Sequence, residues 1–266
     1  MIENLSIALR ASIIAGNEIM SIYTNPDSDF QIERKADNSP LTIADKNANE
    51  RIVSLLQRTQ LPILSEEGQM IPFEERKDWE RLWIVDPLDG TKEFIKQNGE
   101  FTVNIALVEK GTPVLGVIYV PAKQEIYFGA SGIGAFKALV EDPLNPHAID
   151  SVFEKAIRIP QNQERDEVIV VASRSHLSSE TEAYVQQIAA GGKSVEMIST
   201  GSSIKICLVA EGAADVYPRF APTMEWDTAA GHAIAKAAGK EIYHTDEITP
   251  LTYNKEDLLN PWFIVK

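Results

Sequence analysis

The sequence predicts an α+β / α/β fold in two parts, an N-terminal α+β domain over residues 1–162 and a smaller C-terminal α/β domain over 163–266. Three observations predict it. The chain opens with apolar residues at helical spacing, continues with strand-like apolar runs in close succession, and ends in an alternation of strand and helix patterns. With 266 residues there is chain enough for one large core or two smaller ones, because domains usually run to roughly 100–200 residues.

Leu5, Leu9, Ile13 and Met20 fall near helical spacing and leave Arg10, Asn17 and Glu18 for solvent, so the first element is an amphipathic helix. A turn at Asn25-Pro26-Asp27 leads into an extended stretch over 30–35 and a polar loop, Ala36-Asp37-Asn38-Ser39-Pro40. A second helix follows over about 43–58. Strands are predicted over 61–64, 82–85, 101–108, 114–120 and 125–128, close enough together to form hairpins. Residues 141–147, with Pro143 and Pro146, read as a loop before a last strand of this half at 156–159. Beyond a boundary at 160–166 come strand 168–172, helix 179–189, strand 194–198, helix 203–211, strand 214–217 and helix 228–238. No internal repeat or low-complexity segment interrupts the pattern.

A hydrophobic content of 44% with 24% charged residues is that of a globular protein rather than a disordered or fibrous one. No apolar run approaches the ~18–20 residues that cross a bilayer, and the N-terminus lacks the pattern of a signal peptide. The expectation is a cytoplasmic protein without a transmembrane segment, with peripheral membrane association left open. The single cysteine, Cys207, can make no internal disulfide and reads as a small buried apolar residue. With 25 Lys and Arg against 39 Asp and Glu, the formal charge of −14 provides no basic footprint for nucleic acid. Clustered carboxylates that repel a phosphate can instead hold Mg²⁺, which attracts it.

Three segments could supply such carboxylates. In Leu82-Trp83-Ile84-Val85-Asp86-Pro87-Leu88-Asp89-Gly90-Thr91 an apolar strand runs into what reads as a sharp turn, where Asp86, Asp89 and the Leu88 carbonyl can offer three hard oxygens. Gly90 and Thr91 then open a short helical turn through Ile95, whose free N–H groups suit an anion. Asp-Pro-x-Asp-Gly is also ordinary turn chemistry. Glu66 and Glu67 follow the strand at 61–64 and sit either at a cleft or in a solvated acidic loop. Asp227, in Glu225-Trp226-Asp227-Thr228, precedes a helix rich in Ala and Gly, as a ligand or as a plain N-cap.

Together these residues resemble a known family. The run from Trp83 to Thr91 is similar to the first signature of the inositol-monophosphatase-like, lithium-sensitive phosphatases, and Trp226-Asp227 through Gly239 is similar to the second. The resemblance spans essentially the whole chain, including Ser65-Glu66-Glu67 and Thr42-Ile43-Ala44-Asp45, and it implies a layered αβαβα sandwich of the sugar-phosphatase type. Lys35-Ala36-Asp37-Asn38-Ser39-Pro40, Asp89-Gly90-Thr91-Lys92-Glu93-Phe94 and Asn98-Gly99-Glu100-Phe101-Thr102-Val103-Asn104 look most like bacterial 3'(2'),5'-bisphosphate nucleotidases. Inositol monophosphatases usually carry a second Thr and an Asn where this chain has Lys92 and Glu93.

The resemblance implies metal ligation by Glu66, Asp86, the Leu88 carbonyl, Asp89 and Asp227, and activation of the attacking water by Asp45 and Thr91. It implies two or three Mg²⁺ ions, one activating the water and another steadying the leaving oxygen in direct in-line hydrolysis. For substrate binding, Gly90, Thr91, Lys92 and Asp227 are candidates near the acidic centre, with Ser202, Lys205, Arg219 and His176 from the second half. A Lys on a helix three residues after a Ser, and a lone His, also have plain surface or structural readings. The implied substrate is a small bisphosphate nucleotide, adenosine 3',5'-bisphosphate above all, with its 5'-phosphosulfate relative fitting as well. An inositol or sugar monophosphatase and a catalytically idle nucleotide- or metal-binding protein remain as alternatives, and the oligomeric state is left unassigned.

Overall fold

The expected apolar stripe does form the buried face of a first helix, α1 (Ile2–Tyr23), through Leu5, Leu9 and Ile13. Ile19 rather than Met20 completes the stripe, since 3.6 residues per turn carry the face from Gly16 to Ile19. The computed structural model describes residues 1–28, 30–34, 40–145, 148–161, 165–173 and 178–266. Among them α1 is the one helix whose length and composition alone would let it cross a membrane, contrary to the sequence reading that no run comes close. It is nevertheless a core helix, packed on a second helix, α2 (Ile43–Leu56), and on a central sheet. Ala44, Ala48, Ile52 and Leu56 give α2 its buried face, and a 3₁₀ turn at Gln57–Thr59 closes it.

A short antiparallel pair, β1 (Glu33–Arg34) and β2 (Pro40–Leu41), precedes α2. The chain then builds the sheet almost in sequence order: β3 (Ile63–Ser65), the turn-length helix α3 (Phe73–Arg76), β4 (Arg81–Asp89), α4 (Thr91–Ile95), β5 (Thr102–Glu109) and β6 (Thr112–Val120). It continues through β7 (Glu125–Ala130), β8 (Gly134–Leu139), α5 (Ala148–Lys155) and β9 (Ile157–Ile159). Strand order is β3-β4-β5-β6-β7-β8-β9, with β3 and β4 parallel and every other pair antiparallel, so the expected hairpins are present.

The second half contributes β10 (Glu167–Ser173), α6 (Ser179–Ala190), β11 (Ser194–Thr200), α7 (Ile204–Glu211), β12 (Tyr217–Arg219), α8 (Glu225–Ala237), β13 (Ile242–His244) and β14 (Phe263–Val265). β10 and β11 pair in parallel, and β14 lies antiparallel between β12 and β13. The strand expected at 214–217 starts later. The Ala214 N–H is taken by the Leu208 carbonyl at the end of α7, and those of Asp215 and Val216 by Ile169 on β10. The boundary expected at 160–166 includes residues 162–164, which lie outside the described set.

Period-two alternation sorts the central strands into two faces. Trp83, Val85, Val103, Ile105, Leu107, Leu115, Val117 and Tyr119 share one core with α1 and α2. Leu82, Ile84, Ala106, Val108, Ile118 and Val120 share another with α7, α8 and the strands of the second half. α6 packs outside β11 and β12. The layers are therefore helix, sheet, helix, sheet, helix, which is the expected sandwich. Gly116 permits the closest approach between them: a Cβ there would come within 2.1 Å of the Ala230 carbonyl oxygen, so the backbone of α8 rests directly on β6.

Candidate active site

Asp86 and Asp89 are three residues apart on β4, which in a regular strand would send their side chains to opposite faces. The ladder with β5 prevents that. Asp86 pairs with Asn104 but Asp89 pairs with Thr102, so β4 carries one more residue than its partner between these two points. This extra residue turns Asp89 to the side of Asp86. The segment Asp86-Pro87-Leu88-Asp89 is thus an irregular strand end and not the sharp turn expected from its composition. Pro87 is tolerated because the ladder is already interrupted there. The turn comes one residue later, at Gly90, whose φ of 93° is left-handed and which heads α4.

Leu82, Ile84 and Asp86 share the face that looks toward α8, and α8 brings Asp227 to the same place. One carboxylate oxygen from each of Asp86, Asp89 and Asp227 lies within 4.8 Å of the others. Asp227 is not the N-cap of α8 but its third residue. Helix α8 begins at Glu225, and Asp227 Oδ2 accepts the Met224 N–H at 2.8 Å. Glu66 is placed by continuation of the β3–β4 ladder, its N–H donating to the Val85 carbonyl at 3.1 Å. It stands against Asp86, outside the trio. Burial first, and then the negative charges of Glu66, Asp89 and Asp227, hold the Asp86 carboxyl well above the usual carboxylate range. Burial and then Asp89 and Glu66 do the same to Asp227.

These are hard oxygen donors, close together and mutually repelling, which is the donor set of a Mg²⁺- or Ca²⁺-like ion. Asp86, Asp89 and Asp227 could hold it, with Glu66 adjoining. The Leu88 carbonyl, one residue before Asp89, is an alternative acceptor, at 3.3 Å, for the Thr91 hydroxyl.

Asp45 is buried at the third position of α2. Its Oδ2 accepts the Thr42 N–H at 2.8 Å and the Thr42 hydroxyl at 2.5 Å, a capping arrangement that fixes the carboxylate. Its Oδ1 faces Thr91 Oγ1 at 3.1 Å. The charged acceptor takes the Thr91 proton in preference to Leu88 O, which leaves the Thr91 oxygen lone pairs to receive a proton from water.

Both groups open on a cavity of about 470 Å³. Gly90, Thr91, Lys92 and Glu66 from the first half of the chain line it together with Ser202, Lys205, Arg219 and Asp227 from the second. Lys205 is 6% exposed, and its Nζ donates to the Ser202 and Thr200 carbonyls and sits 5.6 Å from the Tyr217 ring centre. Burial pushes its pKa down to about 8, against the pull of Asp89, Glu100 and Asp227 and with the push of Arg219. Arg219 is held by the Pro222 carbonyl at 3.2 Å, and its Nε and Ser202 Oγ have no partner among the described residues. His176, the remaining candidate, lies outside the described residues.

Sequence reasoning missed Ser203 and Asn104. The Ser203 hydroxyl lies 2.6 Å from Asp89 Oδ2, 2.8 Å from the Asp227 carbonyl oxygen and 2.9 Å from Asn104 Nδ2. The available signal was a lone amide in the otherwise apolar run of β5, directly across the ladder from Asp86.

A helix–sheet–helix–sheet–helix sandwich with an acidic centre at an irregular strand end defines a layered α+β protein of the phosphatase type. The chain belongs to the inositol monophosphatase family, whose profile matches residues 2–261. It is 46% identical over 258 residues to the 3'(2'),5'-bisphosphate nucleotidase CysQ of Escherichia coli K12, covering 94% of each chain. The corresponding protein of Salmonella typhimurium is 46% identical over 255 residues, again with 94% of each chain covered. The crystal structure of CysQ from Bacteroides thetaiotaomicron superposes with a TM-score of 0.90 at 59% identity, covering 99% of this chain and 97% of that one. An inositol monophosphatase structure from Thermotoga maritima, at 23% identity and a TM-score of 0.73 with 99% and 92% covered, shares the fold. The family is metal-dependent, and the acidic trio could bind a metal.

Proposed function

We propose that this protein is a 3'(2'),5'-bisphosphate nucleotidase that removes the 3'-phosphate of adenosine 3',5'-bisphosphate to give AMP and phosphate, and that it acts likewise on the 5'-phosphosulfate relative. One observation carries the choice of substrate: the lining of a single cavity is divided between two carboxylates of the acidic trio, Asp89 and Asp227, and the cations Lys205 and Arg219. A substrate with two anionic groups suits that division, one for a metal centre and one for direct cationic contact. The volume is within the ~300–1,000 Å³ typical of small-molecule sites. The relatives named as bisphosphate nucleotidases support the same reading.

In this reading Mg²⁺ ions, two or three, are held by Glu66, Asp86, the Leu88 carbonyl, Asp89 and Asp227. When bound they supply Lewis-acid stabilisation of phosphoryl charge and acidify water. The protein's own groups do the rest. Thr91, with its proton committed to Asp45, accepts a hydrogen bond from the attacking water and orients it. The water oxygen forms a bond to phosphorus as the bond from phosphorus to the 3'-oxygen breaks; the water gives up one proton and the 3'-oxygen gains one, leaving a 3'-hydroxyl and hydrogen phosphate. Gly90, Thr91 and Lys92 flank the phosphate to be removed, and Ser202, Lys205 and Arg219 flank the rest of the substrate. The division at 162/163 then has a meaning for function: the first half furnishes the water-activating pair and most of the acidic ligands, the second furnishes Asp227 and the substrate contacts.

A substrate panel with Mg²⁺ tests the proposal. Adenosine 3',5'-bisphosphate is expected to give the highest kcat/KM, ahead of inositol monophosphate and fructose 1,6-bisphosphate. Faster turnover of inositol monophosphate would move the assignment to that branch, and no turnover of any phosphate ester would favour an idle binding protein.

A further inference from the structure

Ser203 occupies the N-cap position of α7, where a serine normally accepts a backbone N–H with its hydroxyl for about 1 kcal/mol. It makes no such bond. Ser178, the N-cap of α6 in the same chain, does, from the Thr181 N–H at 3.3 Å. The Ser203 side chain, 3% exposed, instead gives up the cap to reach groups on three other elements: Asp89 at the end of β4, Asn104 on β5 and Asp227 on α8.

A hydroxyl has one proton and two lone pairs. Asn104 Nδ2 can only donate, so it occupies a lone pair. The proton then has two acceptors, the Asp89 carboxylate at 2.6 Å and the Asp227 carbonyl at 2.8 Å. The ionised and nearer oxygen takes it. Turning the Asn104 amide over would present a third acceptor to a single proton, so the orientation with Nδ2 toward Ser203 is the consistent one. The direction of donation is thereby set, from Asn104 to Ser203 to Asp89 Oδ2.

Asp89 needs such a restraint. It is half-buried at a strand end, next to left-handed Gly90, and is repelled by Asp86 and Asp227, so without a cation its low-energy course is to swing away. A lysine or arginine could hold it only by neutralising it and competing with the cation. A buried neutral donor holds it and leaves its charge available.

We propose that Ser203, oriented by Asn104, is a positioning residue that pins Asp89 Oδ2 and so presets the Asp89 carboxylate for cation binding. This rests on the reading of the acidic trio as a metal centre. Removing partners that orient metal ligands commonly costs 10- to 100-fold in affinity or activity.

The test is titration of the purified full chain with Mn²⁺, free ion being followed by electron paramagnetic resonance, alongside melting temperatures in EDTA. Ser203→Ala is expected to bind Mn²⁺ about 10- to 100-fold more weakly than wild type and to lose kcat in proportion, and Ser203→Thr to recover both. In an Asp89→Asn background, adding Ser203→Ala is expected to weaken Mn²⁺ binding by less than about twofold, since the hydroxyl acts through Asp89. A Ser203→Ala protein with a lower metal-free melting temperature but wild-type Mn²⁺ affinity would show a merely structural hydroxyl and overturn the proposal. Absence of Mn²⁺ binding by the wild type would overturn the metal-centre reading itself, a distinct outcome.

Discussion

The Thr91 hydroxyl and the Asp45 carboxylate meet at 3.1 Å, joining the first residue of α4 to the third residue of α2 across 46 positions of chain. Because Thr42 already supplies two hydrogen bonds to Oδ2, Asp45 is held with Oδ1 toward Thr91. Thr91→Val keeps the side-chain shape and removes the hydroxyl, so kcat is expected to fall about 10²- to 10⁴-fold, with KM little changed. Thr91→Ser should retain most activity. Asp45→Asn should lose kcat similarly and also weaken the start of α2 by about 1 kcal/mol. Phosphate-release kinetics and thermal melting separate the two effects. A Thr91→Val enzyme with wild-type kcat would remove the pair from the reaction.

Asp86 is held above the usual carboxylate range by burial and by its acidic neighbours, and the sign of its effect on stability follows. A raised folded-state pKa means that the folded chain binds more protons than the unfolded one, so this contribution is complete below the ordinary carboxylate range and is lost as pH rises through the raised value. In EDTA, Asp86→Asn should therefore gain on wild type in urea midpoint as pH increases from 4 to 8. Saturating Mg²⁺ should reverse the order, because only the wild type keeps the full ligand set. Parallel midpoints at every pH would argue against the charge repulsion.

The close contact of β6 with α8, at Gly116 and Ala230, sets the position of the helix that carries Asp227. Gly116→Ala would drive a Cβ into the Ala230 carbonyl, which cannot yield without moving the helix. A destabilisation of about 3 kcal/mol or more is expected, beyond most overpacking. Residual folded protein should show a larger fall in Mg²⁺ affinity than in nucleotide affinity, since Asp227 moves with α8. Urea denaturation and metal titration of the same sample give both numbers.

Elements with strong local periodicity were legible in the sequence, and those defined by distant partners were not. α1, α2 and the strands β4 to β7 carry their own apolar pattern. β13 and β14 are three residues each and exist because β14 returns from the chain end to pair with β12 and β13, which no local pattern announces. β8, with Gly134 and Lys137 among its six residues, has too mixed a composition to stand out. At the site, the acidic residues were visible because their spacing is a motif. What went unseen was the extra residue on β4 that brings Asp86 and Asp89 to one side, a property of the β4–β5 register. Ser203 was hidden for the same reason: Gly201-Ser202-Ser203 offers two serines, and only the fold shows which one reaches Asp89. The start of α8 at Glu225 also depends on tertiary contacts, since the buried Glu225 carboxylate receives the N–H groups of Asn254 and Lys255.

Lys205 gives opposite pH slopes for binding and for stability. Its pKa of about 8 means that the charge available to an anionic substrate fades above that pH, so kcat/KM, which reports the free enzyme, should fall as pH rises through about 8. The same depressed value, against an ordinary 10.5, means that between the two the unfolded chain binds more protons, so the lysine's contribution to stability rises with pH over that interval. Lys205→Met retains the apolar stem and removes the charge. KM for the bisphosphate nucleotide should then rise about tenfold or more at pH 7, as expected when one charge-assisted hydrogen bond is lost. Both pH slopes should flatten. If the limb of kcat/KM near pH 8 persisted in Lys205→Met, another group would be its source, and Lys205 would be a structural lysine tied to the Ser202 and Thr200 carbonyls.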